Sequence, residues 1–523
     1  MNRDRILVFD IGTQSVRALV FDRFGQLCAT SQLALDPPYQ TRQAGWAELA
    51  PERIWQTMIE ACHGLWRADP ALSARIAGLA LTAQRATSVF VDAHGQLLGP
   101  AISWLDQRRA DVIPTLGWPV RAFARLVGAA RVIEDFQRAA PANWLVAHEP
   151  AIHARIAHAP LLSGYLVYRL IGAWRDSTSA QVGYIPFDYK RRRWARAGDW
   201  KWRAIALRAE QMPALVEPGR PLGRLSPAAA QALGLGAGLT LFAAGADKAC
   251  EVLGAGALSP ETACVSLGTT ATINTCRPDY REVTRLVPAY PAAVPGAYTD
   301  EIQIYRGFWL VSWFKQEFAA DTQRTAGREG RAVEALLDEA IAGVAPGSDG
   351  LIVLPTWAPG VREPGPEARG AMIGFTDVHT RAHVYRAILE GLAYGLRGGR
   401  ERIEARTHVP ITRLRVAGGG SQSDQAMQIL ADVFGLRAER SHTHETSGLG
   451  AAINAAVGLG WYADHGQAVR AMVHDGACFA PDPVARGHYQ RLYDEVYRRL
   501  YADLKPSLVR LARVMAAVPA GPA

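Results

Sequence analysis

The chain has 523 residues, which at about 100–200 residues per domain predicts two or three domains. Hydrophobic residues at 49% and charged residues at 20% exclude a disordered, collagen-like or coiled-coil chain. The formal charge of +8 comes from 57 basic and 49 acidic residues, and only Lys190, Lys201, Lys248, Lys315 and Lys505 are lysines. An arginine-heavy balance of this kind fits a compositional bias as readily as a charged partner. The start is basic, but its apolar run lasts only from Ile6 to Phe9 before Asp10, too short for a signal peptide, and no run approaches the ~18 residues of a membrane span. A cytoplasmic protein without a membrane partner is expected.

In chain order, Ile6–Asp10 reads as a strand, Gly12-Thr13-Gln14-Ser15 as a turn, and Val16–Phe21 as the returning strand. Asp22–Gly25 turns into a third. A helix follows from about Pro51, with Ile54, Met58, Ile59, Cys62 and Leu65 at helical spacing, and a strand from Ile76 to Thr82 ends at Gln84-Arg85. The opening recurs later: Thr262–Leu267 is a strand, Gly268-Thr269-Thr270 a turn, and Ala271–Asn274 a return. Both copies have the form apolar strand, Gly-Thr, apolar strand, which predicts two halves of one α/β architecture divided near Leu239–Gly256. Further on, long loops are expected at Pro346–Gly350 and Pro355–Pro366, a helix from Arg381 to about Arg406, a strand over Ile411–Val416, and a helix from Asp424 towards Phe434.

The densest basic stretch, Lys190-Arg191-Arg192-Arg193 with Arg196, Lys201 and Arg203, is interleaved with Trp194, Trp200 and Trp202. No nucleic-acid-binding motif accompanies it, so a solvated, Trp-anchored surface loop is expected and no nucleic-acid partner. The six cysteines form no C-x-x-C pair and have no His at zinc spacing; they read as free thiols.

Several chemical motifs are missing. No Gly-Lys dipeptide exists, so there is no P-loop, and G-x-G-x-x-G after a strand, H-E-x-x-H and G-x-S-x-G are absent. What remains are the Gly-Thr turns. A tight turn exposes successive backbone N–H groups, a Thr hydroxyl adds a donor, and glycine permits close approach, a combination that suits phosphate oxygens. An ordinary β-turn would have the same composition. Asp10, just before the first turn, could hold Mg2+, which prefers carboxylate oxygen. Gly418-Gly419-Gly420-Ser421, between a strand and a helix, would admit a base or phosphate, or would simply provide unusual dihedrals for the connection. Asp247 follows the strand Leu239–Ala243 among small residues; it is either a helix N-cap or a general base.

Together these residues resemble the FGGY family of carbohydrate kinases, in the actin/Hsp70-like ATPase superfamily. Asp10–Ala18 resembles the family's opening D-x-G-T-x-S-x-[RK]-[AV] loop. Gly370–Gly374 with His383-Val384 and Ala387–Gly391 is similar to its C-terminal signature, with Phe375 where a small aliphatic is usual. Pro141–Leu145 with His148-Glu149-Pro150 keeps a Trp-Leu and a Glu-Pro of an earlier signature but has Pro141 in place of a Lys. The resemblance runs from about residue 5 to 465.

The resemblance implies two RNase H-like α/β domains, 1–248 and 249–523, with a cleft between them. The first would hold the sugar and the first phosphate loop; the second would hold the nucleotide. It implies ATP and Mg2+, with phosphorylation of a primary hydroxyl on a small sugar or polyol, a ketose such as a pentulose. Asp247 matches the catalytic base, and Asp10 and Asp247 the metal-facing carboxylates. Gly12, Thr13, Ser15 and Arg17 match the first phosphate loop, and Gly268, Thr269 and Thr270 the second. Gly419, Gly420 and Ser423 match the adenosine region, and Gly307 lies within one residue of a further nucleotide-contacting glycine. Gln84, Arg85, Trp104 and Asp106 match the sugar-holding region. Arg85-Ala86 departs from the Arg-Glu of glycerol kinases, and Gln84-Arg85-Ala86 from the Gln-Met-His of xylulose kinases. A catalytically weak sugar sensor and a conformational ATPase of the same fold are the competing readings, and a homodimer is left open.

Overall fold

The apolar run Ile6–Phe9 becomes the middle of strand β1 (Arg5–Ile11), almost wholly buried. Its alternate side chains divide between two cores: Leu7, Phe9 and Ile11 pack with Ile54 and Met58 of helix α1 (Pro51–Ala68), while Ile6 and Val8 face Leu449 and Ile453 of a helix from far along the chain. A strand covered on both faces needs apolar residues at every position, and this explains why the run does not alternate. Helix α1 starts with Pro51 at its first position and Glu52 in its first turn, both favoured at a helix N-terminus.

In this computed structural model, which describes residues 3–360 and 364–516, the first sheet has six strands. They are β1, β2 (Ser15–Asp22), β3 (Leu27–Ala34), β4 (Ile76–Ala83), β5 (Pro221–Arg224) and β6 (Thr240–Phe242), in the order β3-β2-β1-β4-β6-β5. Pairing along that order is antiparallel, antiparallel, parallel, parallel, antiparallel. After helix α2 (Asp247–Gly254), the second sheet uses β7 (Thr262–Leu267), β8 (Ala271–Arg277), β9 (Tyr290–Pro291), β10 (Tyr298–Ile304), β11 (Arg413–Ala417), β12 (Ala438–Ser441) and β13 (Asp475–Phe479). From β10 its order is β10-β8-β7-β11-β12-β13, with the same sequence of pairing directions. The two-fold repetition suggested by the Gly-Thr turns is a duplicated sheet topology.

Helix α3 (Arg381–Thr407) buries Ile388, Leu392 and Leu396 against one face of the second sheet, and α4 (Asp424–Phe434) packs beside it. Helix α5 (Thr446–Gly458) returns to cover the first sheet. Helices α2 and α5 cross between the two sheets at glycines. A Cβ on Gly254 would lie 1.9 Å from the Thr446 carbonyl oxygen, and one on Gly450 1.9 Å from that of Cys250. Residue 248, the expected division, lies in the first turn of α2, and α5 binds the later part of the chain to the earlier sheet.

The segment between β4 and β5 builds its own small core around Trp144, Phe187 and Ile205. The basic stretch lies there and forms a hairpin (Phe187–Asp188 with Arg193–Trp194) and a short helix (Trp200–Ile205), rather than a plain loop. Its indoles anchor it: Trp194 donates to the Pro213 carbonyl at 2.8 Å and Trp202 to that of Arg196 at 3.1 Å. All six cysteines are free. Of the loop expected at 355–366, residues 361–363 lie outside the described residues. Among the described residues, no helix is long and apolar enough to cross a membrane.

Candidate active site

The first turn closes with the Gly12 amide donating to the Ser15 carbonyl at 3.0 Å. Thr13 is the hub of a network: Trp104 Nε1 donates to its hydroxyl at 3.0 Å, and the hydroxyl donates to Gln84 Oε1 at 3.1 Å. The first Gly-Thr turn and two expected sugar residues are therefore joined by hydrogen bonds. Ser15 accepts from Gln32 Nε2 at 3.3 Å.

Asp10 and Arg17 face each other across the hairpin, with Arg17 Nη1 3.4 Å from Asp10 Oδ2 and 3.5 Å from Glu445 Oε2. Arg17 is thus held between two carboxylates. Burial pushes the Asp10 carboxyl up to about 7; Arg17 opposes this, while Glu445 and Asp247 reinforce it.

Asp247 opens α2 as its first residue, with Ala246, which makes no side-chain cap, at the N-cap position. Among the described residues, its Oδ1 accepts the Lys248 amide, at 2.8 Å. Burial raises the Asp247 carboxyl above its ordinary value against the pull of Arg85 and Lys248. Lys248 Nζ donates to Glu251 Oε2 and Ser266 Oγ, each at 2.7 Å, and Ser266 Oγ donates to Glu251 Oε1 at 2.9 Å. Ser266 stands two residues before Gly268, where an added Cβ would lie 3.4 Å from the Thr270 carbonyl oxygen and 3.9 Å from Lys248 Nζ. This network joins the helix carrying Asp247 to the second Gly-Thr turn. From the end of β4, Arg85 Nη2 reaches across to Glu301 Oε1 on β10 at 3.0 Å, with the Tyr290 ring 5.4 Å from its guanidinium carbon. Burial works against the Arg85 charge, but Glu301 and Asp247 outweigh it and hold the guanidinium above its ordinary value.

Three expected ligand residues also make structural hydrogen bonds. Asp106 accepts from the Ala47 amide, the Arg108 amide, Arg108 Nε and Arg108 Nη2 at 2.7–2.9 Å. Four donors fill a carboxylate's capacity, so Asp106 fastens the loop of Trp104. Gly307 donates its amide to the Thr269 carbonyl at 2.9 Å, and its open face lies on Ala271, whose nitrogen would be 2.2 Å from an added Cβ. It buttresses the second turn and has no donor left for a nucleotide. Ser423 caps α4, accepting from the Ala426 amide at 3.0 Å. The two remaining glycines differ. A Cβ on Gly420 would lie 2.3 Å from the Phe308 ring, whereas Gly419 has nothing within 4 Å of such an atom. One turn beyond Phe308, the helix Trp309–Phe318 borders an open cavity of about 700 Å³ lined by Ser312, Lys315, Gln316, Gln323 and Arg331.

Sequence reasoning singled out neither Glu445, Glu301 nor the pairing role of Lys248. Glu301 and Glu445 come from elements remote in sequence from the Gly-Thr turns, and only the Lys248–Glu251 spacing, one helical turn, was visible locally.

Models of the FGGY family of carbohydrate kinases match the chain, the N-terminal domain over residues 5–254 and the C-terminal domain over residues 263–459. The chain is 30% identical over 510 residues to an uncharacterised sugar kinase of Escherichia coli, YgcE, covering 96% of this chain and 94% of that one. It is 27% identical over 509 residues to a xylulose kinase of Lactococcus lactis, covering 95% and 96%. In structure it is similar to a ligand-bound xylulose kinase from Lactobacillus acidophilus, with a TM-score of 0.81 over 97% of this chain and 99% of that one at 20% identity, a likeness of fold. Two family domains matching in order, on a duplicated sheet whose hairpin turns both carry Gly-Thr, show that this chain belongs to the FGGY family of carbohydrate kinases.

Proposed function

We propose that this carbohydrate kinase transfers the γ-phosphoryl group of ATP to a primary hydroxyl of a small sugar or polyol, a ketose such as a pentulose, with Asp247 as general base. The observation that carries the reading is the setting of Asp247. Its carboxylate takes the Lys248 amide of its own first turn without occupying the N-cap position, and its neighbours Arg85 and Lys248 are bonded to Glu301 and Ser266 of the second sheet. A sugar hydroxyl is a poor nucleophile at neutral pH; Asp247 takes its proton as the oxygen attacks phosphorus, and the bond to the ADP oxygen breaks. A carboxyl raised by burial is a better proton acceptor than an ordinary one.

The donor set fits Mg2+. Asp10 and Asp247 interact electrostatically in a buried site, the Asp10 carboxylate has a 3.4 Å contact with Arg17 as its one side-chain partner among the described residues, and Mg2+ takes one or two carboxylates together with substrate phosphates. Among the described residues no group of three or more ligating side chains stands ready for a metal, consistent with phosphates completing the shell. Mg2+ would neutralise charge on the transferring phosphoryl group. The backbone amides around Gly12-Thr13 and Gly268–Thr270 would cradle the phosphates, with the division of labour at residues 248/249. Gln84, Arg85 and Trp104 would hold the sugar. Gly419 and the cavity by Ser312 and Gln316 would receive the adenosine.

A coupled assay for ADP release over ketoses and polyols tests the reading. Acceptor-dependent release abolished by Asp247→Asn is the expected result; acceptor-independent ATP hydrolysis, or acceptor binding with no turnover, would contradict it.

A further inference from the structure

The Arg85–Glu301 pair bears on which acceptor the site takes. Arginine's planar fork is the usual protein partner of a carboxylate, so an arginine in a sugar site invites an acidic sugar. Here one arm of the fork is already engaged. Arg85 Nη2 meets Glu301 Oε1 at 3.0 Å; the two side chains are 16% and 6% exposed and come from different sheets. The other cations coupled to Asp10 and Asp247 are engaged too: Arg17 by Asp10 and Glu445, and Lys248 by Glu251. Three cations face five carboxylates, counting Asp247, and Asp247 has no ion pair of its own among the described residues. Among the described residues, each cation coupled to Asp10 and Asp247 already has a carboxylate partner, for which a substrate carboxylate would have to compete. Glu301 Oε2 is buried and has no hydrogen-bond partner among the described residues. A carboxylate oxygen only accepts, so whatever satisfies it must donate, which a hydroxyl does and an ionised carboxylate does not.

We propose that Glu301 is a specificity-determining residue: by neutralising Arg85 from the opposite sheet, it commits the acceptor site to an uncharged polyhydroxylated substrate and rejects the sugar acid of the same length. This rests on the reading of the cleft beside Asp247 as the acceptor site. Glu301 selects through Arg85 and takes no part in phosphoryl transfer.

The test uses the full-length protein with neutral ketoses and polyols of three to six carbons and the aldonates of matching length. It measures ADP release and, in parallel, acceptor binding by calorimetry. The wild type is expected to turn over the best neutral acceptor with a kcat/KM at least about ten-fold above any aldonate, the worth of one charge-assisted hydrogen bond. Glu301→Gln should raise the KM of the neutral acceptor, leave kcat nearly unchanged, and improve aldonate binding about ten-fold, since a freed Arg85 is worth a similar interaction. The double variant Arg85→Gln/Glu301→Gln should lose that gain. A wild type that prefers an aldonate, or a Glu301→Gln that moves both classes equally, overturns the proposal. If no acceptor supports ADP release, the kinase reading of the site fails. Calorimetry then still decides this inference: neutral binding with an aldonate gain in Glu301→Gln upholds it, and binding of neither class overturns it.

Discussion

Lys248 Nζ donates to Ser266 Oγ at 2.7 Å, fastening the first turn of the helix that begins at Asp247 to the strand that ends in Gly268-Thr269-Thr270. The same ammonium neutralises Glu251, which is 4% exposed. Removing a lysine from such a pair leaves a buried carboxylate uncompensated, a loss of about 3–5 kcal/mol. Lys248→Ala should therefore lower the thermal midpoint markedly while ATP affinity measured on the folded protein changes little. Gly268→Val should do the opposite, because its added atoms occupy the turn proposed to cradle phosphate. ATP binding lost in Lys248→Ala and retained in Gly268→Val would reject the Gly-Thr cradle.

The two glycines before α4 make a paired prediction. Gly419→Ala adds a methyl that meets no protein atom, whereas Gly420→Ala puts one 2.3 Å from the Phe308 ring. Gly420→Ala should lower the midpoint of unfolding. Gly419→Ala should leave it unchanged and raise the KM for ATP without altering that for the sugar. Equal behaviour of the two variants in both measurements would remove Gly419 from the nucleotide site.

Asp10 sets a pH dependence. Its native pKa of about 7 lies above the unfolded value of 3.8, so the native state holds the proton more tightly. The stability this contributes is fully present below about pH 3.8 and is lost as pH rises through 7. In the nucleotide-free protein, Asp10→Asn should be more stable than wild type at pH 8, with the difference vanishing towards pH 4. A constant difference across that range, followed by thermal unfolding, would mean that Asp10 does not carry the shift.

Thr13 links the proposed sugar and phosphate sites through Trp104 and Gln84. Thr13→Val removes both bonds, each worth about 1 kcal/mol, and should raise the KM for sugar and for ATP together, by about five-fold each. A change in only one of them would show that the two sites are not joined through this hydroxyl.

Much of the fold was legible in the sequence because its signals are local. The apolar runs at Ile6 and Thr262, the Gly-Thr turns, and the helical stripe from Val384 to Leu396 each state an element within a few residues. The matching strand order of the two sheets could not be read, since pairing such as β7 with β11 joins residues about 150 apart in sequence. The site divides in the same way. Residues in the turns were found from the turns themselves, but Asp106, Gly307 and Ser423 were assigned by position in a motif, whereas their hydrogen bonds depend on Arg108, Thr269 and Ala426. Glu301 and Glu445 were missed because what distinguishes them is the arginine each one meets.

The most direct test of the account is Asp247→Asn, measured for kcat and for binding of ATP and of the acceptor by calorimetry. Asparagine keeps the size and one acceptor oxygen of the side chain and removes the base. If Asp247 accepts the hydroxyl proton, kcat should fall by about 10²–10⁴-fold while both affinities change little. A variant that retains more than about a tenth of the wild-type kcat would contradict the general-base role, because even the weakest general-base contribution exceeds that loss.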